Sequence, residues 1–264
     1  MQFAMPSITP IVKKLCLANL AVFVVQLLLN FSSGGVDFLI RMFALDPGVW
    51  KQWFPLLPVW QLLSYGFMHS LADPFHIIMN LMMLYFLGTM VEGIVGGRRF
   101  LFFYLASVVV AGFAQLMLGL ALGDDAAILG ASGGALAVVV AAATLRPQTR
   151  IIFIIFPLTL KTLAVILVAI DLYGQILSFQ GMGGGVARFA HLAGAAMGFL
   201  FVRKGWIYRD PIEGLDRWRA NAAAQRETDV QKRVERLLDK IHRDGIQSLS
   251  RAEQDFLKRA SRRR

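Results

Sequence analysis

Residues 130–145 read GASGGALAVVVAAATL, and residues 190–198 read AHLAGAAMG. Both stretches are apolar and carry small residues four positions apart. These are Gly133, Ala137 and Ala141 in the first stretch and Ala190, Gly194 and Gly198 in the second. Small residues at this spacing let two helices approach closely inside a membrane. The two stretches are therefore predicted to form neighbouring membrane helices.

The composition of the whole chain is that of a membrane protein. Of its 264 residues, 56% are hydrophobic and 17% are charged, whereas soluble domains carry about 45–50% apolar and about 25% charged residues. A membrane helix needs about 20 mostly apolar residues. Six segments suit this role, at about 15–31, 75–95, 100–122, 132–145, 160–176 and 186–202. This pattern excludes a soluble enzyme and an outer-membrane barrel, whose strands alternate polar and apolar residues.

The charges in the loops predict an orientation. With the N-terminus inside, one side collects nine Lys and Arg: Lys13, Lys14, Arg98, Arg99, Arg146, Arg150, Lys161, Arg203 and Lys204. The opposite side has three: Arg41, Lys51 and Arg188. This positive-inside bias predicts that both termini are cytoplasmic. The first segment is expected to be an uncleaved anchor rather than a signal peptide, since no small-x-small cleavage site follows it.

The chain is predicted to divide into a membrane domain (1–204), a linker (205–228) and a small helical tail (229–264). The loop of about 40 residues after the first segment is rich in Trp and Phe and is expected to lie at the membrane interface. In the tail, Ser250 and Glu253 have the spacing of a capping box that opens a short helix, and Gly245 supplies the turn before it.

The net charge of +10 does not indicate nucleic-acid binding. Half of the excess lies after residue 204, where fifteen basic and ten acidic residues are mixed, and no basic stripe with interleaved aromatics occurs. The partner expected from the composition is the lipid bilayer. A partner for the tail, or its self-association, is left open.

Four polar residues inside the predicted spans are candidates for chemistry, because unpaired polar groups are costly in a membrane. His76, Asn80, Ser132 and His191 all fall in the first turns of helices that run in the same direction, so they lie at similar depth. Ser132 and His191 suit a nucleophile and its base. His76 and Asn80, on one helix face, suit hydrogen-bond donation to an oxyanion, together with the backbone N–H of Ser132.

Other polar residues receive structural interpretations. No carboxylate is evident to orient His191, so a dyad is predicted rather than a triad, and Asp171 is interpreted as a cap or gate. His69 is predicted to be an interfacial loop residue. Glu92 is predicted to form an ion pair with Arg98 and Arg99.

These residues resemble the motifs of the rhomboid intramembrane serine proteases. Gly130-Ala131-Ser132-Gly133 is similar to the Gly-x-Ser-Gly of that family, residues 190–198 to its Ala-His-x-x-Gly-x-x-x-Gly helix, and Met68-His69 with His76-x-x-x-Asn80 to the entry of its second helix. The resemblance covers about residues 59–202. It implies an all-α membrane protein, a six-transmembrane-helix bundle with a long interfacial first loop and a small helical C-terminal tail, of the bacterial plasma-membrane type.

The resemblance also implies an activity: peptide-bond hydrolysis in membrane-embedded substrates by a Ser132–His191 dyad, with His76 and Asn80 at the oxyanion and no metal or cofactor. Two positions depart from the family. The family has a Trp-Arg pair in the first loop, and this chain has Trp60-Gln61 in its place. This difference implies that any role of the arginine in lipid contact or loop stability is lost. Where the family often has an aromatic residue one turn after the serine, under the histidine ring, this chain has Leu136.

Two other functions compete with a protease. A non-catalytic rhomboid-like protein that binds membrane helices is disfavoured because Ser132 and His191 are both present. A transporter is disfavoured because no inverted repeat is apparent.

Residues 160–176 and the glycine-rich loop 181–185 are predicted to form a gate.

Overall fold

The computed structural model describes residues 7–32, 34–153, 156–182 and 187–261. The chain divides into two compact units, Met1–Arg209 and Asp210–Arg264. The first is a bundle of helices and the second consists of two main helices. The predicted all-α class is confirmed.

Each predicted membrane segment coincides with helix. In chain order the helices of the first unit are α1 (Pro10–Leu29), α2 (Gly35–Phe43), α3 (Pro47–Trp53), α4 (Gln61–Ser64), α5 (Pro74–Met83), α6 (Thr89–Val95), α7 (Gly97–Leu122), α8 (Ser132–Leu145), α9 (Leu160–Phe179) and α10 (Arg188–Arg203). A π-helical turn, Leu84–Gly88, joins α5 to α6. Within the described residues, four helices are long and apolar enough to cross a membrane: α1, Pro74–Val95, α7 and α9. α8 and α10 are shorter, with 14 and 16 residues.

The start of α1 is held by Glu92 of α6. Its carboxylate accepts hydrogen bonds from the Thr9 hydroxyl (2.6 Å) and from the N–H groups of Ile11 (3.1 Å) and Val12 (2.9 Å). The first N–H groups of a helix lack partners within it and attract negative charge. Glu92 therefore docks α1 onto α6, a contact that the sequence does not indicate, and its ion pair with Arg98 and Arg99 stays a prediction.

The segment between α1 and α5 is folded around Gln61. The buried Gln61 Oε1 accepts hydrogen bonds from Trp50 Nε1 (3.1 Å) and from the Asp46 N–H (3.3 Å), and its Nε2 donates to the Arg41 carbonyl (3.0 Å). The uncharged amide of Gln61 thus ties three parts of the loop together at a position where the sequence comparison expects an arginine.

α8 is the central helix and touches α10 through the backbone. Almost every residue from Gly133 to Ala143 is buried. A Cβ atom at Gly194 would overlap the carbonyl oxygen of Gly133, and one at Gly198 would overlap that of Ala137. The predicted close approach of the two small-residue stripes is confirmed.

A short antiparallel pair of strands lies between α8 and α9. β1 (Arg150–Phe153) pairs with β2 (Phe156–Thr159), with Arg150 opposite Thr159. The sequence does not predict a strand here, since the apolar run is too short and too uniform to give a period. The Thr159 Oγ1 then caps α9 by accepting from the Thr162 N–H (3.1 Å).

The second unit contains α11 (Glu213–Asp244) and α12 (Arg251–Ser261). The capping box is confirmed: the Ser250 N–H donates to the Glu253 carboxylate (2.7 Å), and the Glu253 N–H donates to the Ser250 hydroxyl (3.3 Å). Gly245 ends α11 with φ +79°. α11 continues without interruption past residue 228, where the linker is predicted to end. The residues there are mostly Ala, Gln, Arg and Glu, which favour a helix.

We expect Gly198→Ala to lower the free energy of unfolding by about 1–3 kcal/mol, because the added Cβ forces α10 away from the Ala137 carbonyl. Denaturation of the purified protein in detergent micelles measures this. The matched control is Gly93→Ala in α6, where the added Cβ has nothing within 4 Å and stability should not fall, because alanine favours a helix more than glycine does. Equal stability of the two variants would contradict the close backbone contact.

Candidate active site

Ser132 is the first residue of α8, and the chain before it is held at two points. The Ile128 and Leu45 backbones exchange hydrogen bonds (2.8 and 2.9 Å), and the Gly130 N–H donates to the Tyr65 carbonyl (3.0 Å). Gly130 has φ +125°, a conformation that side chains other than glycine rarely adopt. The hydroxyl of Ser132 is therefore presented from a fixed turn.

His191 lies in the first turn of α10 and faces Ser132. Its Nε2 is 2.6 Å from the Ser132 Oγ. The two residues belong to helices whose backbones touch at Gly133 and Gly194, one residue beyond the serine and three beyond the histidine. The structure thus brings together the two residues that the sequence pairs.

Asp171 of α9 completes a chain of three groups. Its Oδ1 is 3.0 Å from the His191 Nδ1, and the two side chains are 14% and 17% exposed. An ionised carboxylate only accepts hydrogen bonds, so Nδ1 carries the proton. The Nε2 of the neutral ring is then free to accept the hydroxyl proton of Ser132.

Asp171 corrects the prediction that no carboxylate orients His191. The signal was available in the sequence, because α9 runs opposite to α8 and α10, so its second half lies at the depth of their first turns. The sequence does not tell which face of α9 carries Asp171 toward α10, and this decides the contact.

The predicted site residues share one cavity. Ser132, His191, His76, Asn80 and Asp171 line a space of about 670 Å³ at the end of the bundle where α5, α8 and α10 begin. The His76 ring packs against Gly130, where a Cβ would lie 2.6 Å from the His76 Cε1. Leu136 also lines the cavity.

Asn80 is positioned by His69. The Asn80 Nδ2 lies 3.3 Å from the His69 Nε2, and the His69 Nδ1 lies 3.3 Å from the Phe67 carbonyl, which only accepts. The His69 ring therefore donates at Nδ1 and accepts at Nε2 from Asn80. One N–H of the Asn80 amide then remains for a group in the cavity.

His69 is not the interfacial residue that the sequence predicts. It is 1% exposed, and its backbone N–H and C=O both bond the side-chain amide of Gln26 in α1 (3.0 and 2.9 Å). Burial, together with the neighbouring His76, lowers the pKa of His69 from 6.5 to about 4. The neutral ring agrees with its role as a hydrogen-bond acceptor for Asn80.

A further cavity residue, Gln115 of α7, was not found from the sequence. Its Oε1 accepts a hydrogen bond from the Ala190 N–H (3.1 Å), which satisfies one of the free donors at the start of α10. A single Gln within an apolar helix was the available signal. Of the predicted gate, α9 is described, but Gly183, Gly184 and Gly185 lie outside the described residues.

Comparison with known proteins bears directly on this arrangement. A family model described as the Rhomboid domain matches residues 57–208, which is more than half of the chain. The chain belongs to the rhomboid family. A second model, a family of unknown function called DUF6576, matches residues 224–263.

Individual relatives of this rhomboid-family chain are named as mitochondrial proteins. It is 29% identical over 145 residues to the presenilin-associated rhomboid-like proteins of Rattus norvegicus and Homo sapiens, covering 52% of this chain and 37% of each relative. It is 26% identical over 186 residues to presenilin-associated rhomboid-like protein A of Danio rerio, covering 66% of this chain and 44% of the relative. The match thus spans about two fifths of the length of these relatives. The Rhomboid match and the long apolar helices together show an integral membrane protein.

The depressed pKa of His69 predicts acid sensitivity of the membrane unit. As the pH falls from 6.5 to 4, the unfolded chain takes up a proton at this position and the folded chain does not, so stability is lost in this window. The loss is about 3 kcal/mol and levels off below pH 4.

Unfolding free energies of wild type and His69→Gln, measured from pH 7 to pH 4, test this. The wild type should lose about 3 kcal/mol more than His69→Gln over this range. His242→Gln, a change in the second unit, is the control and should keep the slope of the wild type. Parallel curves for wild type and His69→Gln would show that His69 takes up its proton at the same pH in the folded and in the unfolded chain.

Proposed function

We propose that this rhomboid-family protein is an intramembrane serine endopeptidase. The observation that carries the proposal is the 2.6 Å approach of the Ser132 Oγ to the His191 Nε2 inside the cavity. Serine alone is a weak nucleophile, and an imidazole within hydrogen-bond reach activates it by taking its proton. The substrates are membrane proteins with a transmembrane segment.

The reaction follows from the three aligned groups. His191 takes the proton of Ser132 as the hydroxyl oxygen attacks a peptide carbonyl, and Asp171 holds the ring in the required tautomer and stabilises the imidazolium that forms. His191 then gives the proton to the leaving amine. Water, activated by the same ring, hydrolyses the acyl-enzyme and frees Ser132. The dyad of the sequence prediction thus gains Asp171 as a third member.

The oxyanion is held by donors on two helices. The Ser132 N–H stands at the start of α8, where helix N–H groups lack partners within the helix. Asn80 supplies its remaining amide N–H, and His76 lines the same cavity. Donors fixed before the reaction stabilise the developing charge most strongly where water is sparse.

The substrate segment must expose its carbonyl groups to reach Ser132. A membrane helix hides them in its own hydrogen bonds, so cleavage should favour small or helix-breaking residues near the end of the segment. The bias of Lys and Arg supports an orientation in which the cavity opens on the side opposite to both termini. A bacterial plasma membrane stays a prediction, because the relatives named above are mitochondrial.

Cleavage of a fluorogenic transmembrane peptide by the purified protein in liposomes tests the assignment. We expect wild type to cleave, Ser132→Ala and His191→Ala to lose activity by at least about 10³-fold, and Asp171→Asn to lower kcat by about 10²- to 10⁴-fold. Asp124→Asn is the matched control: Asp124 lines the same cavity, where it accepts the Ala126 N–H at 3.0 Å, and an amide oxygen preserves that bond.

Each other outcome has a definite meaning. Cleavage that survives in Ser132→Ala would remove Ser132 as the nucleophile. No cleavage by folded wild type, together with crosslinking of the peptide inside the cavity, would favour the non-catalytic helix-binding alternative. An unchanged kcat in Asp171→Asn would leave a simple dyad.

Replacement of Asn80 tests the oxyanion site separately. Asn80→Ala should lower kcat by about 10²- to 10³-fold with little change in KM, because the lost hydrogen bond forms mainly in the transition state. Met79→Leu, which changes a neighbouring cavity residue without a donor, should retain activity. A rise in KM at constant kcat would instead assign Asn80 to substrate binding.

A further inference from the structure

The first turns of α11 carry an exposed apolar stripe. Leu215 and Trp218 are 42% and 65% exposed, and the half-buried Ala222 follows at the spacing that places all three on one side of a helix. The other side is polar or small: Glu213 and Arg217 form an ion pair there (2.6 Å), on the same side of the helix as Ala220 and Ala224.

The packing within the second unit uses a different part of α11. Arg233 lies over the Phe256 ring at 4.5 Å, Lys240 pairs with Glu253 at 3.2 Å, and Leu237 is buried. All of these residues fall within the 224–263 match, whereas the rhomboid match ends at residue 208. The stripe therefore belongs to neither matched family.

The chain just before α11 has the composition of a membrane interface. α10 ends at Arg203, and Trp206 and Tyr208 follow with 41% and 48% of their surface exposed. Exposed Trp and Tyr beside basic residues are typical of the headgroup level. Leu215 follows Tyr208 by seven positions, a reach of at most about 25 Å, so the stripe can return to that level.

Basic residues border the stripe. Arg219 and Arg226 follow Leu215 by four and eleven positions, which places both near Leu215 around the helix. A long arginine side chain beside an apolar stripe can reach lipid phosphates while its stem covers acyl chains. Protein partners are a poorer fit, because Trp218, Leu215 and Ala222 expose far less than the roughly 800 Å² that each side of a stable protein interface buries.

We propose that the first four turns of α11 lie in the headgroup layer of the membrane, with Leu215, Trp218 and Ala222 toward the acyl chains and Arg219 and Arg226 on lipid phosphates. This segment anchors the base of the second unit to the bilayer. The anchoring does not depend on catalysis.

Site-directed spin labelling of the full chain tests the proposal. In a Cys16→Ser background, a nitroxide is attached at Leu215→Cys or Ala222→Cys on the stripe, or at the matched positions Ala220→Cys and Ala224→Cys on the other side. The proteins are reconstituted in liposomes of equal amounts of phosphatidylcholine and phosphatidylglycerol. Collision of each label with oxygen, which concentrates in lipid, and with a water-soluble nickel chelate is then measured.

The stripe labels should have an oxygen-to-nickel collision ratio at least about threefold above that of the other two labels. Adding Trp218→Gln to Ala222→Cys should bring its ratio down to that of Ala220→Cys. Equal ratios at all four positions would overturn the proposal. A second outcome would also overturn it: the label at Ala222→Cys collides little with either reagent, and its dipolar broadening rises with protein density. A second copy of the chain would then cover the stripe.

Discussion

The backbone contact between α8 and α10 is the constraint on which the site depends. Inside a membrane, apolar side chains gain little by leaving lipid, so helices associate through close packing. Gly194 and Gly198 remove the side chains that would hold the two backbones apart. The contact lies one turn or less from Ser132 and His191, and it sets their separation at hydrogen-bond distance.

The polar groups around this contact form a connected network rather than isolated pairs. Asp171 reaches His191 from α9, and Gln115 reaches the start of α10 from α7. Gln26 of α1 fixes the backbone of His69, whose ring in turn binds Asn80. An unpaired polar group in an apolar medium is costly, so each partner both satisfies its neighbour and restricts the cavity geometry.

Much of this fold is readable from the sequence because apolar length and small-residue spacing are local signals. They locate the six helical segments and the contact of Gly133 with Gly194. They also place Ser132 beside His191, because residues in the first turns of parallel helices share a depth. The capping box at Ser250 and Glu253 is equally local.

The partners of Asp171, His69 and Gln61 are not readable in this way. Each depends on how far a helix is rotated about its axis or on how a loop folds back, and hydrophobic periodicity is weak in helices that are apolar on all sides. The carboxylate of Glu92 is another example: nearby basic residues indicate an ion pair, but its hydrogen bonds to the N–H groups of α1, a distant segment, are not indicated by the sequence.

The π-helical turn at Leu84–Gly88 gives one membrane helix two phases. Such a turn corresponds to one residue inserted into a regular helix and advances everything beyond it by about 100°. The half before it directs His76 and Asn80 into the cavity, and the half after it directs Glu92 to α1. A single-residue gain thus lets one continuous helix direct residues of the candidate site into the cavity at one end and form a structural joint at the other, without a proline or a break.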